Sequence, residues 1–321
     1  MLLVNEQREP SLLLTLAIAW TDEPEAYSIR CMNMMADETQ EDYVTLDMVR
    51  SYDLEYDEEG MLIDAKEPQG YLTSEAAKLV KINSWLNSNA EEMMEGIDCI
   101  IFPGGKDISP TLRYEEQPWN GIEEEADFSA ERDVSDYLLM SYCIDHDIPM
   151  LAICRGMQML SVISGAKIIE DLPVWFEEQG VEYNDEHRDP EKKDLVPHSV
   201  NILAEDSLLY EIVGQKTLAG CPSWHHQAVG DVSGTRLTVV AEAITDGLPV
   251  IEGVERQDRT FCMGLQFHPE VAVGKVLNQE ANAGDFLDYE TAMSFFEALI
   301  EAGKEGQEAE EEQKEQVAAA A

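Results

Sequence analysis

Pro149-Met150-Leu151-Ala152-Ile153-Cys154-Arg155-Gly156-Met157-Gln158 is the stretch on which the fold turns. Residues 149–153 form a short apolar run and read as a strand buried on both faces. Residues 157–164 carry helical spacing and follow almost at once. A buried strand running straight into a helix belongs to a parallel sheet, because parallel strands need a helical crossover that covers the sheet. The junction also has a chemical reading. Cys154 stands where a sharp strand-to-helix turn lifts one side chain out of the sheet, with the free N–H groups of the helix start beside it. Such a place suits a thiol nucleophile and supplies backbone donors for an oxyanion. A cysteine at a strand end is as often an inert core residue, so this segment alone leaves both readings open.

Outward from this unit the same alternation continues. Residues 12–20 and 97–102 read as strands, 75–94 as a helix, and 130–145 as a helix with Val134, Leu138, Leu139 and Tyr142 on its apolar stripe. The expected class is α/β, a mostly parallel sheet flanked by helices. After Gly165 the segments become shorter and more polar. Residues 199–203, 237–243, 250–255 and 260–266 suit a mixed or antiparallel extension of the sheet, and 287–302 suits a closing helix. The acid-rich stretches 37–66 and 175–194 read as solvated loops or helix faces. A single domain is expected over 1–302, followed at 303–321 by an acidic low-complexity tail, either frayed helix or disordered.

Composition excludes several classes of function. The chain has 321 residues, with 66 Asp plus Glu against 21 Lys plus Arg and a formal net charge of −45. Such a surface repels phosphate, so no nucleic-acid or membrane partner is expected. The six cysteines are scattered without a CxxC pair, which argues against a disulfide framework or a zinc ribbon. The first ten residues hold Glu6 and Glu9 against Arg8, and the apolar run that follows is too short to span a membrane. A cytoplasmic, reduced protein is expected, with a homodimer as the default assembly.

Three further segments carry chemical signals. In Gly264-Leu265-Gln266-Phe267-His268-Pro269-Glu270 a strand delivers His268 at its end, and Glu270 can orient the imidazole. In Phe102-Pro103-Gly104-Gly105-Lys106-Asp107-Ile108-Ser109-Pro110 a strand ends in a Gly-Gly turn at the sheet edge where such folds bind ligands. In Pro222-Ser223-Trp224-His225-His226-Gln227 the adjacent histidines have no further ligand at a metal spacing, so a loop holding a polar substrate is expected there, with no metal and no cofactor.

In this order and spacing the four segments resemble the class I glutamine amidotransferase-like superfamily. Within it they are similar to the gamma-glutamyl-gamma-aminobutyrate hydrolase-like branch, peptidase family C26. Finer marks of the branch are Asp107-Ile108-x-Pro110 with Tyr114 following, Arg132-Asp133, Asp171-Leu172-Pro173 and His198-Ser199-Val200. The likeness is close over 97–270 and loose before it. It implies a flavodoxin-like sheet and a Cys–His–Glu triad that cleaves γ-glutamyl amides without metal or organic cofactor. By position it implies Cys154 as nucleophile, His268 as base and then acid, and Glu270 as orienting carboxylate. The amides of Gly105 and Arg155 would form the oxyanion hole. Gln158, Ser223, Trp224, His225, His226 and Gln227 would lie near the glutamyl head. Ala152 replaces the glycine usual two residues before the cysteine, and Phe267 the usual tryptophan. Residues 27–95 lack the expected glycine-rich join of helix to strand.

The implied substrate is a small γ-glutamyl amine, γ-glutamyl-GABA or a γ-glutamyl-polyamine. A strongly acidic body favours the cationic polyamine tail. Two alternatives stand beside this reading. A glutaminase feeding ammonia to a synthase would need a partner synthase, since the fifty or so residues after Glu270 are too few for a second catalytic domain. A non-catalytic γ-glutamyl-binding protein would be expected to have lost part of the triad.

Overall fold

The computed structural model describes residues 14–113, 119–184, 186–189 and 195–320. Tyr114, Asp185, Glu191 and Asp194 lie outside them. In chain order the first half forms β1 (Thr15–Ile18), α1 (Tyr27–Thr39), β2 (Asp42–Thr45), α2 (Ser74–Asn83), α3 (Ala90–Met93), β3 (Cys99–Phe102), α4 (Ala130–His146), β4 (Met150–Ile153), α5 (Arg155–Ile163), β5 (Ile168–Ile169) and α6 (Leu172–Glu178). The second half adds β6 (Val196–Ile202), α7 (Leu208–Val213), β7 (Thr217–Ser223), β8 (Ala228–Val229), β9 (Thr238–Thr245), β10 (Leu248–Glu255), β11 (Cys262–Leu265), α8 (Pro269–Leu277) and α9 (Tyr289–Ala320).

One sheet runs β2-β1-β3-β4-β11-β10-β9-β6-β7. Its pairings are parallel from β2 to β11. They are antiparallel from β11 to β7, which forms the extension. The period of two along each strand sends alternate residues to opposite cores. Ala17, Ile100, Phe102, Met150 and Ala152 pack with α2, α4 and α5. Leu16, Ile18, Ile101, Leu151 and Ile153 pack with α1, α8 and α9. Each fully buried aliphatic side chain contributes about 1.5–3 kcal/mol, so the parallel strands are fixed from both faces. The consequence for function is positional: β3, β4 and β11 are neighbours, and their C-terminal ends carry Pro103-Gly104-Gly105, Cys154 and His268.

Several elements differ from the sequence expectation. The helix expected over 75–94 is broken. Thr73 caps the start of α2 by accepting from Ala76 N–H, but Ser84 takes φ 49° and the helix stops. The Asn/Ser-rich residues beyond it bond locally, Ser88 Oγ donating to Trp85 O and accepting from Ala90 N–H. Such side chains compete with helical hydrogen bonding. Helix α1 escaped notice because no side chain caps its start and it lies among acid-rich segments, although Ile29, Met32, Met35 and Ala36 form a buried stripe. It packs on α8 at Gly274, where a Cβ would collide with Cys31.

Nor is 37–66 wholly solvated, since Val49, Leu62 and Ala65 enter the core beside α4. In 175–194, Phe176 and His187 are buried. The closing helix continues past Ala302 to Ala320 as one element. Gly303 lets it cross close to Leu14 and Cys99, and its last turns are exposed. Ala152 sits inside β4, paired with Gly264 and Phe102, so the position has no need of glycine.

Candidate active site

The backbone at Cys154 has φ 52° and ψ −105°, a conformation that L-residues avoid and that costs on the order of 1–3 kcal/mol. Neighbouring elements hold it there. Cys154 N–H donates to Leu265 O at 2.6 Å, and its carbonyl accepts from Gln158 N–H at 3.1 Å. Gly156 is required by the next turn, because a Cβ there would run into Phe102 O. Cys154 heads α5, so its sulfur lies at the N-terminal end of that helix dipole.

His268 arrives at the end of β11, its N–H donating to Pro222 O at 2.8 Å. Its Nδ1 is 2.7 Å from Glu270 Oε1, and Glu270 is fully buried in the first turn of α8. The pairing leaves Nε2 as the reactive nitrogen, oriented by the carboxylate. Burial alone would push this imidazole down. The Glu270 carboxylate and the neighbouring Cys154 sulfur more than reverse that and hold it well above its ordinary value. Gly104 shows how close the two groups are. A Cβ built on it would stand 2.8 Å from His268 Cε1 and 3.5 Å from Cys154 Cβ.

Beneath this edge lies a buried charge network. Arg155 bonds Asp133 at 2.6 Å and also Asp136, and Arg132 bonds Asp136 at 2.8 Å. All four side chains are inaccessible. Burial pushes Asp133 up to about 6, against the opposing pull of Arg155. The network reaches the Gly-Gly turn directly. Arg132 Nη2 donates to Pro103 O at 3.0 Å, and Ser109 N–H donates to Asp133 at 2.9 Å. Gly105, at φ 154°, rests on both guanidinium side chains, where a Cβ would sit 3.3 Å from each. Asp136 was not singled out from sequence, although its i+4 spacing from Arg132 on an apolar helix face was a usable signal.

A cavity of about 640 Å³ opens over Cys154 and His268, also lined by Gly105, Gln158, Trp224, His225, His226 and Gln227. The expected substrate residues do not all face it alike. Ser223 is fully buried, donates to His187 O at 2.9 Å, and does not line the cavity. Gln158 Nε2 is engaged by Gln227 O at 3.1 Å and Gln266 Oε1 at 3.2 Å. Gln227 is the contrast, for both atoms of its buried amide lack a partner among the described residues. The rim holds Glu23, Asp107, Glu125, Asp127 and Glu280 against Lys106, Arg188 and Lys275. A larger cleft of about 1000 Å³, along Arg113, Trp119 and Trp175, contains neither Cys154 nor His268.

The two adjacent histidines diverge. His226 Nε2 is 2.9 Å from Asp107 and its Nδ1 3.2 Å from Asp171, tying the Gly-Gly turn to the start of α6. Burial lowers the His226 pKa, but the two carboxylates outweigh it and raise the value to about 9. The native state therefore binds a proton more tightly than the unfolded chain. The resulting stability is complete below about pH 6.5 and is lost as pH rises through 9. His226→Gln should flatten the stability profile between these values, removing on the order of 3 kcal/mol at most, as read by urea unfolding at a series of pH values. An unchanged slope would show that His226 is not the titrating group.

His225 turns the other way, toward Glu252. Its Nε2 lies 3.5 Å from Glu252 Oε1, and His187 Nδ1 and His198 Nε2 approach the same carboxylate at 3.1 and 3.7 Å. Burial pushes His198 down to about 4 despite Glu252. Burial works in the opposite sense on Glu252, yet His198, His187 and His225 hold it below the usual carboxylate range. Sequence reading missed this group because its members come from four separate segments.

These features define a class. The profile of the Peptidase C26 family matches residues 74–270, and the chain belongs to that family of glutamine amidotransferase-like hydrolases. Among its relatives, Protein NtpR of Enterococcus hirae is 34% identical over 187 residues, covering 57% of this chain and 70% of NtpR. Gamma-glutamyl-gamma-aminobutyrate hydrolase PuuD of Escherichia coli K12 is 30% identical over 182 residues, covering 56% of this chain and 66% of PuuD. A solved structure of a GMP synthase component from Thermoplasma acidophilum shares the fold with a TM-score of 0.51 at 15% identity, covering 94% of this chain and 98% of that one. Among the described residues no helix is long and apolar enough to cross a membrane.

Proposed function

We propose that the chain hydrolyses the amide bond of small γ-glutamyl amines through a thioester on Cys154. The observation that carries the reading is the meeting of Cys154, His268 and Glu270 at the floor of a cavity that also presents the unpartnered Gln227 amide. In the first half-reaction the Cys154 sulfur adds to the γ-carbonyl carbon. The N–H groups of Gly105 and Arg155 receive the oxyanion. The C–N bond then breaks as His268 gives its proton to the departing amine. In the second half, water attacks the thioester, His268 takes the proton, and the C–S bond breaks to release glutamate. Gln227 is suited to hold the amino-acid end of the glutamyl group, since it offers both a donor and an acceptor.

The rim favours a cationic leaving amine, with five carboxylates against three basic side chains and the protonated His226. A γ-glutamyl-polyamine therefore stands beside γ-glutamyl-GABA as the substrate. A reducing compartment, the cytoplasm, suits a thiol nucleophile in a chain whose six cysteines are all free. The test is glutamate release from γ-glutamyl-GABA, γ-glutamyl-putrescine, folyl-polyglutamate and glutamine. We expect turnover of the first two, with the putrescine preference weakening as salt is raised. Turnover of glutamine alone would identify a glutaminase instead, and no turnover of any would leave a binding protein.

A further inference from the structure

Behind the His225–Gln227 loop, six buried polar atoms have no hydrogen-bond partner among the described residues. They are both carboxylate oxygens of Glu252, Nδ1 of His187, both ring nitrogens of His198 and Nε2 of His225. Of the other buried carboxylates, Asp136 and Glu270 each leave one oxygen without a partner among the described residues, but none leaves both. Asp133 and Asp136 meet guanidinium groups, and Glu255 accepts from Leu208 and Leu209 N–H. Glu252 faces only imidazoles. Burying a carboxylate without a compensating cation is expensive, so a positive charge belongs at this point.

The outer ring nitrogens indicate what form that charge takes. His225 Nδ1 lies 2.8 Å from Gln227 O, and a carbonyl only accepts, so the proton sits on Nδ1. The neutral ring then turns the lone pair of Nε2 toward a Glu252 oxygen. His187 is held likewise by its outer nitrogen, Nε2 at 2.8 Å from Thr245 Oγ1. An outer contact that fixes the ring and points the free nitrogen inward is the usual support of a metal-binding histidine. The spacing agrees. Donor atoms of His187, His198 and Glu252 all lie within 4.8 Å of one another. Ligands about 2.0–2.1 Å from a tetrahedral ion stand about 3.3 Å apart, and the contacts to Glu252 of 3.1, 3.5 and 3.7 Å bracket that edge.

We propose that Glu252, His187 and His198 bind a divalent transition-metal ion of the zinc class, with His225 beside the carboxylate. Imidazole donors with one carboxylate suit such an ion and not calcium or magnesium. The ion would tie β6, β10 and the loop bearing His187 to the segment that carries His226 and Gln227. Its role is to position that segment. It takes no part in the bond-breaking at Cys154.

The experiment uses the full chain carrying Cys154→Ala, so that the reactive thiol cannot serve as a ligand. The protein is stripped with chelator, equilibrated with Zn2+, exchanged into metal-free buffer and analysed for bound metal. We expect about one zinc ion per chain, and an unfolding temperature that rises with added zinc. Adding Glu252→Gln or His198→Asn should abolish both. His198→Asn decides the matter where Glu252→Gln fails to fold, and the absorption spectrum of the Co2+-loaded Cys154→Ala chain should show a tetrahedral site without sulfur. No retained zinc, or retention unchanged in the His198→Asn variant, would overturn the proposal and leave a proton shared between Glu252 and the imidazoles.

Discussion

Replacing Cys154 with alanine should lower glutamate release from γ-glutamyl-GABA by more than about a thousandfold, the loss that follows removal of a covalent nucleophile. A second substitution separates chemistry from backbone. Cys154 holds φ 52° and ψ −105°, and alanine inherits that strain because it keeps a Cβ. Glycine does not. Cys154→Gly should therefore be as inactive as Cys154→Ala but more stable than it, by about 1 kcal/mol, in urea unfolding. The thiol is then bought with stability at the very residue that needs it. Turnover surviving in either variant would refute the thioester route. Equal stability of the two would show that the turn carries no strain.

The second large effect lies one layer deeper. Asp136→Ala should destabilise the protein by about 3–5 kcal/mol, because Arg132 and Arg155 would stay buried without the anion they share. The fully buried pairs Arg132–Asp136 and Arg155–Asp136 bracket the carboxylate from both sides. Arg132 also carries Pro103 O, and Gly105 rests on the Arg132 guanidinium and the Arg155 stem. The same substitution should thus move the Gly-Gly turn and lower kcat in the fraction that folds, with KM less affected. Asp136→Asn keeps the shape and should recover part of the stability. A loss below about 1 kcal/mol for Asp136→Ala would mean that Asp133 alone satisfies both cations.

The parts of the molecule that could be read in advance share a physical property: their meaning is local. Cys154 could be placed because five apolar residues, a turn and a helix are contiguous in the chain, and His268 because it ends an apolar strand two residues before a carboxylate. The parallel sheet followed from the same units, and the parallel pairings from β2 to β11 bear out that class. The Glu252 cluster was not legible. It draws on residues 187, 198, 225 and 252, which meet only through the antiparallel extension and a backbone hydrogen bond from His225 N–H to His187 O at 3.1 Å. Helix α1 was hidden for another reason: its Ile29–Ala36 stripe has helical spacing, but no capping side chain marks its start, and its close packing on α8 at Gly274 is not visible in the sequence. Four of the five residues of the expected pocket loop, Trp224 to Gln227, line the cavity. His226 and Gln227 face the cavity, whereas Ser223 turned out to serve the backbone of His187.

On the mechanism proposed above, the place of β4 between β3 and β11 governs when the protein becomes reactive. β11 is the last strand among the described residues, and its partner β4 lies more than a hundred residues earlier. During synthesis the thiol emerges long before its imidazole. A ribosome-bound chain ending short of Cys262 lacks both the strand that accepts Cys154 N–H at Leu265 and the histidine itself. Contacts of such sequence separation form late in folding. On that mechanism the nascent chain stays silent until its sheet is closed, and reactivity coincides with the joining of β11 to β4.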